Sequence, residues 1–235
     1  MNYLEICQAV IDEVGLSGQI SSVTNQVGDF SRIVRFVRVS CQQIEGKWIN
    51  WRFLSGNYTF ETTALINAYP APEDLSIRQW ELQNAFLDDL KIQTNYFDDR
   101  LNYTKDLISE NYESRPIRLI IEANNTIRTI GIPDKAYRIS IDYYRKATVL
   151  QNNTDQPAIP DQFHDIIVYE AVRRYANYDE AAELKQQAVE QLYGVGGSWA
   201  RPEPGSWLHQ LQADQLPYSY LDGATQGGEF TVRVE

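Results

Sequence analysis

Apolar residues recur at helical spacing near both ends of the chain and at strand spacing between them. This change of period limits what the chain can fold into. Leu4, Cys7, Val10, Ile11 and Val14 share one face of a helix predicted over Tyr3–Val14. Asn2 precedes that helix with Glu5 three residues later, the pattern of a capping box, and Gly15 supplies a left-handed stop against which Leu16 can pack back. A second stripe, Phe30, Ile33, Val34, Val37, Cys41 and Ile44, predicts a helix over Phe30–Glu45 with Asp29 as its cap. Late in the chain Pro160 opens a third helix, whose stripe is Phe163, Ile166, Ile167, Ala171, Tyr175 and Tyr178. Asp179 is placed to cap a fourth, carrying Ala182, Leu184, Ala188 and Leu192 and ended by Gly194, Gly196 and Gly197.

Between these ends the period falls to two. Tyr137, Ile139, Ile141 and Tyr143 alternate with Arg138, Ser140, Asp142 and Tyr144, the clearest strand in the chain. Asn57–Thr62 alternates in the same way, and Arg78, Trp80 and Leu82 suggest a further strand. Pro116–Ala123 and Thr126–Ile130 flank Asn124-Asn125, a pattern for a tight hairpin. Asn95–Ser109 reads weakly as a polar helix. The fold class expected is α+β. Residues 1–50 and 151–194 form a helical bundle built from both ends of the chain. Residues 51–150 form an inserted β-rich region, and 195–235 an extended C-terminal arm.

The arm holds six glycines and three prolines, so no regular element of useful length is expected in it. Yet it carries Trp199, Trp207, Leu208, Leu211, Tyr218, Tyr220 and Phe230, more apolar surface than a solvated linker holds. These are candidate partner-binding residues, unless the tail folds back on its own domain. Glu229–Val234 alternates like a strand after Gly227-Gly228 and suits addition to a sheet edge on a partner.

The chain of 235 residues carries a net charge of −11, which argues against tight wrapping of nucleic acid. The charge is uneven: residues 29–52 carry +3 and 160–194 carry −4. Arg32, Arg35 and Arg38 sit off the apolar stripe of the second helix, either as a solvated face or as candidates for ion pairs to an acidic neighbouring subunit or for contact with DNA. The two cysteines, Cys7 and Cys41, fall on apolar stripes and read as buried thiols. No leader pattern opens the chain and no stretch approaches the ~20 apolar residues of a membrane span, so a soluble protein made in a reducing cytoplasm is expected.

No catalytic set emerges. His164 and His209 are the only histidines and neither has a nearby cysteine or a metal-spaced carboxylate pair. His164 reads as an exposed residue in a first helical turn, and His209 as a contact beside Trp207. The doublets Asp88-Asp89 and Asp98-Asp99 read as solvated turns or capping groups, since adjacent strand residues face opposite ways. The glycines at 194–197 follow a helix, where a phosphate cradle would precede one. The expectation is a non-enzyme with no cofactor and no metal, its surfaces built for assembly.

The runs IRTIGIPDKAYRISIDYYRKATVL (127–150) and IPDQFHDIIVYEAVRRYANY (159–178), with LEICQAVIDEVGLSG, DFSRIVRFV and INWRFL near the start, resemble the head–tail connector (adaptor) proteins of tailed bacteriophages. The resemblance spans roughly residues 1–193 and rests on structural residues. It implies a ring, commonly twelvefold, that bridges the portal protein at the capsid vertex and a tail, nozzle or tail-terminator protein. DNA would pass through the lumen without specific binding, and the C-terminal arm would dock on the portal or a neighbouring subunit. It implies a place in the virion neck. The alternatives are another neck or tail-tube component, or a carbohydrate-binding or carbohydrate-cleaving virion protein.

Overall fold

The computed structural model describes residues 1–96 and 112–216. Among them are five α-helices and two four-stranded sheets, a mixed α+β architecture. Two compact units result: Met1–Phe53 together with the chain from Ala147 onward, and Leu54–Lys146.

The first unit is helical. Helix α1 (Tyr3–Glu13) starts as its sequence predicts, with Asn2 Oδ1 accepting from the Glu5 N–H and the Glu5 carboxylate accepting from the Asn2 N–H. It stops at Gly15, which is left-handed (φ 68°) and lets the Leu16 N–H reach back to Ile11 O. Its buried face is Tyr3, Ile6, Cys7, Val10 and Ile11, while Leu4 and Val14 are only half-buried. The stripe is thus rotated from the one expected, because the phenol of Tyr3 is drawn inward to donate to Val34 O at 2.7 Å.

Helix α2 (Gly28–Lys47) is longer than expected at both ends and buries Ile33, Val34, Val37, Cys41 and Ile44. Asp29 does not cap it. Val27 is the capping residue, without a side-chain bond, and Asp29 lies inside the first turn, where its charge suits the helix dipole and it pairs with Arg32.

After a single 3₁₀ turn at Asp161–Phe163, helix α3 (Asp165–Tyr178) packs against α1 and α2. Ile166, Ile167, Ala171 and Tyr175 are buried as expected, but Tyr178 is 49% exposed. Helix α4 (Ala182–Tyr193) lies along α3 and buries Ala188 and Leu192. Asp179 ends α3 and caps nothing on α4, because the chain turns through Glu180 in a left-handed conformation (φ 56°) before α4 begins.

A fifth helix, α5 (Trp207–Gln215), corrects the expectation that no regular element forms beyond residue 194. Ser206 caps it by accepting from the His209 N–H, and it packs against α3 and α4. None of the described helices is long and apolar enough to cross a membrane.

The second unit holds strands β1 (Ser55–Glu61), β2 (Ala68–Tyr69), β3 (Ile77–Leu87), β4 (Leu90–Lys91), β5 (Gln93–Tyr96), β6 (Arg118–Ile121), β7 (Ile127–Ile130) and β8 (Arg138–Arg145). One sheet has the order β1-β8-β3-β4 and the other β2-β7-β6-β5; β5 and β6 run parallel and every other pair is antiparallel. Strand β8, the clearest in the sequence, is central. Its Ile139, Ile141 and Tyr143 join Trp80, Leu87, Leu119, Ile121 and Ile127 in one apolar core. Gly56 leaves room for the Tyr143 ring, since a Cβ there would lie 2.7 Å from its Cζ. Strand β3 extends well beyond the expected Arg78–Leu82, and its register against β8 slips between Glu81 and Ala85.

The hairpin turns follow local chemistry. Asp88 and Asp89 both take positive φ (47° and 64°), as the two-residue link of β3 to β4 requires. Asn125 is left-handed (φ 64°) in the β6–β7 turn, where Asn124 Oδ1 accepts from the Thr126 N–H. Of the polar helix expected over Asn95–Ser109, Asn95 and Tyr96 belong to β5; the remainder lies outside the described residues.

Candidate assembly surfaces

The three arginines of α2 do three different things. Arg32 pairs with Asp29 at 2.8 Å and lies over the Tyr178 ring, 4.4 Å from its centroid. That contact explains why Tyr178 stays at the surface. Arg38 turns inward toward Tyr3 and Cys7: burial pushes the Tyr3 phenol up to about 12 and the nearby Arg38 charge pulls the other way. Arg35 is exposed, its guanidinium 5.4 Å from the Phe36 ring centroid. Arg35 is therefore the most exposed member of the expected trio, while the Arg32 side chain, paired as it is, stays partly in solvent.

The arm residues divide similarly. Leu208 and Leu211 are fully buried under α5, inside their own unit. Trp199 packs edge-on to Tyr193 at 5.9 Å, with the Lys47 ammonium 5.7 Å from its ring centroid. The Glu203 N–H donates to Tyr193 O at 2.7 Å, which turns the chain back against the end of α4. Trp207 is half-buried at the first position of α5. Residues 195–216 thus fold onto their own unit, because two leucines one helical turn apart gain more by burial there than an extended segment would in water. Tyr218, Tyr220, Phe230 and the strand-like Glu229–Val234 lie outside the described residues.

Two buried carboxylates hold the helical unit together and carried no signal in the periodicity. Glu45 sits in the last turn of α2, where the helix dipole disfavours an acid, and is wholly buried. It is retained because it accepts from the backbone N–H groups of Thr148 (2.5 Å) and Ala158 (2.8 Å) and from the Cys41 thiol (3.5 Å). It clamps the segment that returns from the β unit onto α2. Burial, with Glu45 alongside, pushes the Cys41 thiol far above its ordinary range, and burial raises Cys7 to about 12. Both are inert thiols, as expected from their place on the stripes.

Glu170 of α3 is 2% exposed and takes a two-pronged bond from Arg173 (2.6 and 2.8 Å), an ion pair with Arg174 at 3.2 Å and a bond from the Tyr193 hydroxyl at 3.4 Å. An i, i+3, i+4 spacing of Glu170 with Arg173 and Arg174 is legible in the sequence; its burial is not.

His164 overturns its expected exposure: it is 1% exposed. Its Nε2 lies 2.8 Å from Ile159 O and its Nδ1 2.8 Å from the Met1 ammonium, so Nε2 carries the proton and Nδ1 accepts. Burial holds its pKa below the usual histidine value. These bonds occupy both ring nitrogens, which leaves neither for a metal or a substrate. His209 is half-buried on α5.

Asp88 is engaged in its turn, accepting from the Arg138 N–H at 3.0 Å. The other doublet, Asp98-Asp99, lies outside the described residues. Among the described residues no group of three or more His, Cys, Asp or Glu is arranged to hold a metal ion.

No curated protein matches the chain. The family model described as SU10 adaptor protein matches residues 1–201, which takes in both units and the turn that begins the C-terminal segment. With that match over most of its length, the chain belongs to the SU10 adaptor protein family, the phage head–tail adaptor class its sequence resembles.

Proposed function

We propose that this chain is a structural virion protein that forms a ring, commonly twelvefold, between the portal and the tail or nozzle, through whose lumen DNA passes during packaging and ejection. The family match over 1–201 carries the reading. The bonds that hold His164 and Asp88 and the burial of both cysteines support it, since these groups serve the fold. A net charge of −11 per copy makes the ring strongly acidic, which lets phosphate slide past without adhering.

In this reading the helical unit packs side by side around the ring, and Arg35, with any share Arg32 and Arg38 retain, pairs with acids of the neighbouring copy. The far C-terminal residues, Tyr218, Tyr220 and Phe230 among them, reach the portal or a neighbour, while Leu208 and Leu211 anchor the start of that arm.

Electron microscopy of the particle vertex, or of the protein mixed with its portal, tests this. A closed ring beneath the portal is the expected result. A globular monomer absent from the vertex would overturn it. Removal of 217–235 is expected to weaken portal attachment while leaving the helical unit folded; unchanged attachment would rule out the arm's role.

A further inference from the structure

Strand β1 is an edge of its sheet, and its free side is built to receive another strand. The pairing of Thr62 N–H with Tyr137 O fixes the phase of the β1–β8 ladder. Alternation then turns the N–H and C=O groups of Asn57, Thr59 and Glu61 away from β8. No described strand pairs with that side.

Long edge strands are ordinarily blunted by proline, lysine, a bulge or an inward-pointing charge. Across Ser55–Glu61 there is no proline or lysine, its pairing with β8 is regular, and its one charge, Glu61, is on the exposed face. On the inner face Tyr58 and Phe60 pack on the core but remain half-exposed at its margin, stacked on each other at 5.3 Å.

The chain itself contains a segment of matching pattern. In Glu229–Glu235 the residues Phe230, Val232 and Val234 alternate with Glu229, Thr231, Arg233 and Glu235. Laid parallel to β1 with Thr231 beside Thr59, this segment sets Phe230 and Val232 next to Tyr58 and Phe60 on the apolar face. Arg233 then falls next to Glu61 on the polar face. An antiparallel alignment through the same threonines puts Glu229 beside Glu61, a like-charge pair that costs stability. The twelve residues between Leu216 and Glu229 include Gly223, Gly227 and Gly228 and span up to roughly 40 Å when extended, enough to reach past one small unit.

We propose that Glu229–Glu235 of one copy adds as a parallel strand to the free edge of β1 in the next copy, so that each subunit is tied to its neighbour by main-chain hydrogen bonds. This rests on the ring reading above and specifies a link within that ring.

The test uses assembled particles carrying Thr59→Cys with Thr231→Cys, oxidised and run on a non-reducing gel. Both native cysteines are buried, so they do not confuse the pattern. A ladder of covalent multimers is expected, and either single variant is expected to lose it. Arg233→Glu is expected to abolish the ladder, and Glu61→Arg added to it to bring the ladder back. Only monomers, whether unlinked or closed on their own tail, would overturn the inference even with the protein present at the vertex. Absence of the protein from the vertex would overturn the ring reading instead, which keeps the two failures apart.

Discussion

At the residue scale the helical unit depends on polar groups placed where polarity is costly. Glu45 is the clearest. Its carboxylate satisfies two backbone N–H groups from a segment more than a hundred positions away, and both lose their partner if it is truncated. Glu45→Ala is expected to destabilise the protein by roughly 2–4 kcal/mol, read as a lowered urea midpoint, with Glu45→Gln costing less because an acceptor remains. His164 predicts a pH dependence. Its folded pKa lies below the unfolded 6.5, so the unfolded chain binds the proton first and stability falls as pH drops below about 6.5. The urea midpoint of the wild type is expected to decline from pH 7 toward pH 5, and that of His164→Gln to decline less over the same window. An identical slope in both would show that the carboxylates alone set the acid sensitivity.

At the element scale the behaviour of the described helices separates into caps and docking. The α1 capping box is complete, so Asn2→Ala is expected to cost about 1 kcal/mol, measured by thermal melting. Helix α5 has only nine residues and is too short to persist by itself. It exists because Leu208 and Leu211 are buried against α3 and α4. Leu208→Ala is expected to cost about 2–4 kcal/mol and to make the chain after Gly194 the first site of limited proteolysis, with α1–α4 surviving. This is also why composition was a poor guide there: glycine and proline counts described the turns around α5, while two leucines and a serine cap decided that a helix forms among them.

At the scale of the whole molecule, the β unit enters and leaves through neighbouring strands, since Ser55 of β1 pairs with Tyr144 of β8. The ends of the helical unit at Phe53 and Ala147 are therefore close enough for a short link. Replacing 54–146 with a brief glycine–serine stretch is expected to leave a cooperative helical melt by circular dichroism; a non-cooperative one would mean that the helices need the β unit to fold. The acidic charge makes a second expectation: the protein should not retard duplex DNA in a gel at physiological ionic strength, and retardation would contradict a lumen that lets DNA slide.

The sequence by itself determined that the segments of α1 to α4 are helical, where β8 lies, how α1 is capped and stopped, and that Asp88-Asp89 and Asn124-Asn125 fall in turns. Each of these is a local matter of period, φ or a side chain reaching its own backbone. It also carried enough structural residues to point to the phage adaptor class. Tertiary structure alone decided the phase of the α1 stripe, because Tyr3 is held by Val34 on another helix. It decided the burial of His164, the clamp made by Glu45 and the network around Glu170, where partners separated in sequence remove the cost of burying a polar group. It also decided how three similar arginines differ: Arg32 is paired with Asp29 and Tyr178 at the surface, Arg38 turns toward Tyr3, and Arg35 is the most exposed.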